Sequence, residues 1–221
     1  LDRLSGQSPR RDAVRRRRTV VEALGLRAGE RVVDIGTGPG FIAYEMAELI
    51  GPAGEILGVD SSEAMLRLAR QRCEEKAQVQ FKAGDASQLP VPDASFDVAV
   101  SVQVYEYVRE VDAALAEMYR VLRPGGRGAI MSTDWKSIAW NATDEKRMQS
   151  VLAAWAEHCV YTDLPRKLRS KLISAGLTVD HQQVVPQFNP TYDPNTYSYH
   201  LIEVIRSFVV GRKGLPDVEA A

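Results

Sequence analysis

Short apolar runs alternate with longer amphipathic stretches along most of this chain. The predicted strands cover residues 32–35, 54–60, 79–83, 96–102, 128–132 and 179–186. In the first, Val32, Val33 and Ile35 form a short apolar run that is typical of a strand buried on both faces of a parallel sheet. The amphipathic stretches have apolar residues at helical spacing and cover residues 9–24, 41–50, 112–122, 164–175 and 194–210, with a further helix starting near Ser62. This alternation predicts an α/β fold with a doubly wound, mostly parallel sheet.

The composition is that of one globular domain without a strong charge. With 221 residues and 45% hydrophobic content, the chain can bury one large core, so we predict a single domain over residues 1–221. The 28 basic and 29 acidic residues give a net charge of −1, which provides no overall field for nucleic acid or a membrane. The two cysteines, Cys73 and Cys159, support neither a disulfide framework nor a zinc site. Since there is no membrane-length apolar run and no signal peptide, we expect a cytoplasmic protein without a bound metal.

The first apolar run ends in a carboxylate and a glycine-rich turn, Val-Val-Asp-Ile-Gly-Thr-Gly-Pro-Gly, over residues 32–40. Gly36, Gly38 and Gly40 permit backbone angles and a close approach that a Cβ atom would forbid. The turn leads into the predicted helix 41–50, whose free N–H groups at its first turn face any ligand bound at the glycines. The pattern predicts a loop that binds a nucleotide cofactor, with a purely structural tight turn as the alternative.

Two more carboxylates follow later strands of the predicted sheet. Asp60 ends the second strand about 20 residues beyond the glycines, where dinucleotide-binding folds place the acceptor for ribose hydroxyls. Asp85 follows the third strand. We therefore predict that these acids belong to the same cofactor site. The structural alternatives are a helix-capping role for Asp60 and a turn role for Asp85.

Five blocks of sequence resemble, in order and spacing, the class I S-adenosylmethionine-dependent methyltransferases, in particular the group that includes quinone-biosynthesis and other small-molecule methyltransferases. The blocks are residues 32–40, 58–66, 84–90, 95–98 and 121–126. The resemblance implies a Rossmann-like fold, the cofactor S-adenosyl-L-methionine and the product S-adenosyl-L-homocysteine. It also implies that Asp34 lies near the methionine end, that Asp60 binds the ribose, and that Asp85 with Ala86 meets the adenine. The remaining cofactor contacts that we predict are Gly36, Thr37, Gly38, Gly40, Ser61, Met65, Gly84 and Ser101.

Two other functions stay open on the sequence. A nicotinamide-dependent dehydrogenase also needs a glycine loop and a ribose-binding acid, but its fingerprint is G-x-G-x-x-G, whereas this chain has G-x-G-x-G. A protein of the same fold that binds the cofactor without turnover, as a regulatory or scaffold subunit, is the second alternative. The Asn-Pro-Thr-Tyr sequence at residues 189–192 resembles a motif of nucleic-acid methylating enzymes, but it does not follow the fourth strand. We therefore predict a small-molecule acceptor and no nucleic-acid partner.

The predicted domain has four parts. Residues 1–29 are an N-terminal helical cap, residues 30–135 are the cofactor-binding core, and residues 164–221 are a C-terminal helix-strand-helix. Residues 136–163 are an insertion after the fifth strand, which in the resembled family forms a helical substrate lid. The antiparallel last strand of that family is not evident in this sequence. Because an edge strand without a partner favours association, a homodimer or an exchange of strands between two copies is possible.

The inserted segment and the first helix carry the candidate acceptor-binding residues. Trp140 and Trp155 in the insertion, with Trp135 beside it, suit an aromatic or flat acceptor, and packing of the added helices is the alternative. The first helix carries the arginine run 15–18. We interpret that helix as a solvated cover over the cofactor cleft, with the binding of an anionic substrate as the alternative.

The chemistry of methyl transfer asks little of the protein beyond geometry. The sulfonium already activates the methyl group, so the main task is to hold the acceptor in line behind it. An acidic acceptor would also need a base near the methyl group. The candidates for that base are Tyr105, Glu106, Asp134, His158, His181 and His200. Among them we predict His158 and Tyr105 as the catalytic residues, with a core or surface role as the alternative for each.

Overall fold

The computed structural model describes residues 11–213 and residue 215, in which five strands alternate with helices. The strands are β1 (Arg31–Ile35), β2 (Glu55–Asp60), β3 (Val79–Ala83), β4 (Phe96–Val102) and β5 (Leu122–Met131). The helices are α1 (Arg11–Leu24), α2 (Phe41–Ile50), α3 (Glu63–Arg72), α4 (Val111–Val121), α5 (Glu145–Trp155), α6 (Leu164–Ser174) and α7 (Tyr197–Val209). Short 3-10 turns cover Tyr105–Tyr107, Trp135–Ser137 and Ala156–His158.

The strands form one parallel sheet in the order β3-β2-β1-β4-β5. From β1 the chain winds outward to β2 and β3, then returns to the other side of β1 to add β4 and β5. The winding therefore reverses between β1 and β4, and open α/β sheets bind their ligands at such a switch point. The prediction of a doubly wound, mostly parallel sheet is confirmed.

Helices cover both faces of the sheet because successive residues of each strand point to opposite sides. Val33 faces the cluster that holds Leu115 of α4 and Leu164 of α6. The neighbouring Val32 faces the opposite cluster, which includes Val20 of α1 and residues of α2. The two-sided burial explains why β1 and β4 appear in the sequence as nearly continuous apolar runs.

The predicted bounds agree closely with the structure in the first half of the chain. The bounds of α2, β3 and β4 are those predicted, while Pro9 and Arg10, the predicted start of α1, lie outside the described residues. Strand β5 begins at Leu122 rather than at Gly128. The segment 124–126, predicted as a connection, lies inside β5, where the pairing with β4 is irregular.

The prediction of a sixth strand over Val179–Pro186 is wrong. Residues 178–188 form no backbone hydrogen bond within the described part of the chain, and the side chain of Val184 is 89% exposed. Valine-rich sequence favours a strand only where a neighbouring strand pairs with it and an apolar surface covers it. Neither is present here, so this segment is an extended connection between α6 and α7.

A third apolar cluster joins the insertion to the C-terminal helix. Trp155 of α5 packs with Trp135, and α7 adds Leu201, Ile205 and Val209. The insertion is thus helical as predicted, and its indole rings pack into this cluster. Across the described residues, no helix combines the length and the apolar character that crossing a membrane requires.

Candidate cofactor and acceptor site

The glycine loop between β1 and α2 is tied to the neighbouring strand. Gly36 N and Thr37 N both donate to the carbonyl oxygen of Val59 on β2, at 2.7 and 3.0 Å. Gly36 has a φ of +72°, and a Cβ atom there would collide with the side chain of Val104. Glycine is therefore the residue that lets the chain turn this close to Val104, just after β4. Both residues line the cavity at the switch point.

Asp60 at the end of β2 joins the glycine loop to the following helix. One carboxylate oxygen accepts a hydrogen bond from Gly38 N and the other from Ser62 N, each at 2.8 Å. The N-cap of α3 is Ser62, whose hydroxyl accepts from Met65 N. Asp60 is therefore not itself the cap residue, and each of its oxygens keeps lone pairs for a ligand.

Asp34 lies beneath the loop and is almost fully buried. Its side chain accepts a hydrogen bond from the hydroxyl of Thr37 at 2.6 Å, and the residue is 1% exposed. Burial raises the pKa of this carboxyl group to about 7, the Thr37 hydrogen bond opposes the shift, and the charge of Asp60 adds to it. The group can therefore change its ionisation near neutral pH.

Asp85 occupies the loop after β3. One of its oxygens accepts from both the backbone N–H and the hydroxyl of Ser87, at 2.7 and 2.6 Å, and these bonds lower its pKa. The turn role considered for Asp85 is thus present in the structure. The backbone of Gly84 just before it donates to the carbonyl oxygen of Asp60, which holds the two strand ends together.

These elements surround one cavity of about 840 Å³, a size suited to a small-molecule ligand. Nine of the predicted cofactor residues line it: Asp34, Gly36, Thr37, Gly38, Asp60, Ser61, Gly84, Asp85 and Ala86. Three do not. Gly40 packs against Ala69 of α3, Ser101 donates its hydroxyl to the carbonyl oxygen of Ile35, and Met65 lies on α3 with 36% of its surface exposed.

The two predicted catalytic residues do not line this cavity. Tyr105 is fully buried in the core, its hydroxyl has no hydrogen-bond partner, and burial raises its pKa. His158 stacks on Trp155 with ring centroids 3.7 Å apart, and its Nδ1 bonds to the carbonyl oxygen of Trp155 at 2.6 Å. Desolvation lowers the pKa of His158. These geometries give no support to a catalytic role for either residue.

A further wall of the cavity, residues 102–104 and 107–110, was not among the predicted site residues. Gln103 follows β4 with a φ of +57°, a backbone conformation that costs energy for a residue with a side chain and that often marks functional sites. Its amide donates to the hydroxyl of Thr133 at 2.9 Å and its carbonyl oxygen accepts from Arg16 at 3.1 Å. Tyr107 and Arg109 line the same wall. The sequence feature that could have identified these residues as part of the site is their position directly after β4, because ligands of open α/β sheets bind beyond the carboxyl ends of the strands.

The residues around the cavity include no cluster suited to a metal. In the ranges 11–213 and 215, no group of three or more histidine, cysteine, aspartate or glutamate side chains has an arrangement that could hold an ion. The acidic groups stand at three separate strand ends instead. The fold and the site together define an α/β protein whose cavity takes a nucleotide-like organic cofactor.

This chain is similar to known proteins of one family. The model of a methyltransferase domain matches residues 32–126. The ubiquinone/menaquinone biosynthesis C-methyltransferase UbiE of Ectopseudomonas mendocina is 40% identical over 118 residues, which are 52% of this chain and 46% of that protein. UbiE of Ectopseudomonas oleovorans is 38% identical over 114 residues, 50% of this chain and 67% of the relative. The crystal structure of the [4+2]-cyclase SpnF has a TM-score of 0.58 at 27% identity, covering 73% of this chain and 56% of that one.

The chain belongs to the class I S-adenosylmethionine-dependent methyltransferases, and the cofactor of this family is S-adenosylmethionine. The predicted family, fold class and cofactor are thereby confirmed. The chain spans less than half the length of the Ectopseudomonas mendocina relative. The matched residues include the glycine loop and all three strand-end acids, and they end within β5.

Proposed function

We propose that this chain is an enzyme that transfers the methyl group of S-adenosylmethionine to a small, aromatic or otherwise flat acceptor by in-line displacement. The observation that carries the proposal is the convergence of Asp34, Asp60 and Asp85, at the carboxyl ends of β1 to β3, on the cavity opened by the glycine loop. S-adenosylmethionine is an extended ligand with an adenine, a ribose and an amino-acid portion, so it needs hydrogen-bond acceptors at several separate points of a cavity.

The roles proposed for these three acids are the ones that the family resemblance implies, and their places in the cavity lining support them. Asp60 is proposed to bind the ribose hydroxyls, because its carboxylate is already oriented by two backbone N–H groups. Asp34 is proposed to face the methionine end, where its ionised form would attract the ammonium group. Asp85 and Ala86 are proposed to meet the adenine. Gly40 and Ser101, which do not line the cavity, are proposed to hold the glycine loop in place through their contacts with Ala69 and Ile35.

The acceptor is proposed to bind against the wall formed by residues 102–104, 107 and 108. Val102, Val104 and Val108 line the cavity there, and Tyr107 is 44% exposed. An aromatic ring and aliphatic side chains on one wall favour a flat apolar face on the acceptor. Since His158 and Tyr105 do not line the cavity, the proposal assigns the protein the task of positioning the acceptor rather than of accepting its proton.

The first test is calorimetric titration with S-adenosylhomocysteine, run beside NAD on the same protein. We expect binding near the micromolar range, about −8 kcal/mol, and no binding of NAD. Asp60→Asn keeps the shape of the side chain but removes the charge that a ribose diol favours, so it should weaken binding. Asp144→Asn is the matched control, because Asp144 caps α5, does not line the cavity, and asparagine also caps helices. If the two variants bound S-adenosylhomocysteine with equal affinity, the proposed role of Asp60 would be contradicted.

Turnover is tested separately from binding. A protein that binds the cofactor without methyl transfer would pass the first test, and the structural similarity to a [4+2]-cyclase shows that this fold is not restricted to one reaction. We expect S-adenosylhomocysteine to form from S-adenosylmethionine when a panel of flat phenols, quinols and heteroaromatic amines is added. Cofactor binding with no product from any acceptor class would favour the regulatory or scaffold alternative.

A further inference from the structure

The four arginines of the α1 run have different surroundings. Arg15 and Arg18 are exposed, and Arg18 pairs with Glu22 on the helix surface. Arg17 forms an ion pair with Glu45 of α2 at 2.8 Å. Arg16 alone among the four is buried, at 8% exposure, and it lines the cavity.

The guanidinium of Arg16 has only neutral contacts. It donates from Nη1 to the side-chain oxygen of Gln103 at 3.1 Å and lies over the ring of Tyr197, 4.3 Å from its centroid. Its Nε atom is buried and has no hydrogen-bond partner. No carboxylate within the described ranges lies at ion-pair distance from it.

The two acids whose charges reach Arg16 are bound to other groups. Asp12 accepts two hydrogen bonds from Tyr197 N, at 2.7 and 2.8 Å. Glu106 is fully buried and accepts from the hydroxyl of Ser132 at 2.9 Å and from Thr133 N at 3.3 Å. Burial lowers the pKa of Arg16, and these acids only partly oppose that. A buried cation without an ion pair is costly, so a ligand that supplies the anion would bind there with added strength.

We infer that Arg16 is the binding site for a ligand carboxylate in this cavity, held ready by Gln103 and Tyr197. The planar guanidinium offers Nε–H and an Nη–H group to two oxygens of one carboxylate. The inference rests on the proposed function, which puts two such anions within the cavity. One is the α-carboxylate of the cofactor's amino-acid portion, and the other is a carboxylate on the methyl acceptor.

Titration calorimetry with three probes distinguishes these sources. The probes are S-adenosylhomocysteine, 5′-methylthioadenosine, which lacks the amino-acid portion, and benzoate added to protein saturated with S-adenosylhomocysteine. They are applied to the wild type, Arg16→Gln, Arg16→Lys and the control Arg18→Gln, which removes an exposed arginine from the same helix. The melting temperature of each variant shows whether the fold is intact.

Either source predicts a distinct result. If the cofactor supplies the carboxylate, Arg16→Gln weakens S-adenosylhomocysteine about 10- to 100-fold and leaves methylthioadenosine unchanged. If the acceptor supplies it, S-adenosylhomocysteine binds all variants equally, while benzoate binding is lost in Arg16→Gln. In both cases Arg16→Lys restores part of the lost affinity, which a purely structural role in packing on Tyr197 would not produce.

The inference is overturned if Arg16→Gln matches the wild type with every probe, or if it weakens methylthioadenosine as much as S-adenosylhomocysteine. It is also overturned if benzoate binding is absent from the wild type while S-adenosylhomocysteine binds all variants equally. Failure of the proposed function has a different signature, namely a wild type that binds neither nucleoside. In that event benzoate alone, compared between wild type and Arg16→Gln, decides whether Arg16 binds a carboxylate.

Discussion

The carboxyl group of Asp34 makes the stability of the folded protein depend on pH. Its pKa of about 7 in the folded protein lies well above the value near 3.9 of an unfolded chain. Between these two values the folded protein holds a proton that the unfolded chain has lost. The contribution of Asp34 therefore makes the fold less stable as the pH rises from about 4 to about 7, and it levels off above that range.

Asp34→Asn removes this titration and keeps an acceptor for the Thr37 hydroxyl. Relative to the variant, the wild type should lose about 2 kcal/mol of unfolding free energy between about pH 5.5 and pH 8. Urea unfolding at several pH values measures this difference. Asp144→Asn, at an exposed helix cap, should show no such trend. Parallel curves for wild type and Asp34→Asn would mean that Asp34 does not change ionisation in this range.

The predicted site residues that line the cavity were found in the sequence for a local reason. The glycine loop, Asp60 and Asp85 are recognisable because backbone turns and strand ends need particular residue types at fixed spacing. Arg16 and Gln103 could not be singled out, since one arginine in a run of four is identical to its neighbours until packing buries it. His158 was singled out by its residue type, but its place is set by the rings of the third cluster.

At the level of elements, Arg127 fixes α1 to the sheet. From β5, its Nε donates to the carbonyl oxygen of Leu24 at 2.6 Å and its Nη2 to that of Gly25 at 2.8 Å. Both Nη atoms also bond to Glu30, and this interaction is the main reason that the pKa of Glu30 is lowered. The arginine thus binds carbonyl groups that end the helix as well as a buried carboxylate.

Arg127→Ala should lower the unfolding free energy by about 3 kcal/mol, because it leaves two helix-end carbonyl groups without a donor and Glu30 with only the backbone N–H of Arg27. The loss should be smaller in acid, where Glu30 is protonated and its depressed pKa no longer contributes stability. Arg31→Ala is the control, since its pair with Glu55 is more than half exposed and contributes at most about 1 kcal/mol. Equal losses from the two variants in urea would show that the Arg127 interactions do not stabilise α1.

Strand prediction succeeded within the sheet and failed for the segment beyond it, for a physical reason. For β1 and β4, burial on both faces leaves an apolar run that is visible in the sequence. For Val179–Pro186 the apolar residues were present, but a strand also requires a partner, and sequence alone does not show whether one is available. The start of β5 was missed because Pro124 and the glycines beside it are turn residues in most contexts.

Residues 178–188 connect helices that lie in different apolar clusters. Helix α6 packs with α4 in one cluster, whereas α7 belongs to the cluster of the insertion. Phe188 is 83% exposed, and no backbone hydrogen bond holds the segment within the described part of the chain. Proteases cut where the backbone can leave the structure at little cost.

Brief digestion with chymotrypsin should therefore cleave after Phe188 before it cleaves in residues 31–131. Mass spectrometry of the first fragments identifies the site. Phe188→Ala should remove this first cut and leave later cleavage unchanged, which makes it the matched control. A first cut inside the parallel sheet would show that the connection is better protected in solution than its contacts indicate.

The stack of His158 on Trp155 has an optical consequence. Indole emission is quenched more strongly by a protonated imidazole than by a neutral one, and desolvation keeps the pKa of His158 below its ordinary value. The ring of Tyr107, which lines the cavity, meets His158 edge-on at 5.8 Å. A molecule that contacts Tyr107 thus lies one aromatic ring away from the stacked pair of His158 and Trp155. Trp155 emission is therefore expected to change when a ligand fills the cavity, and titration of the unlabelled protein measures that change.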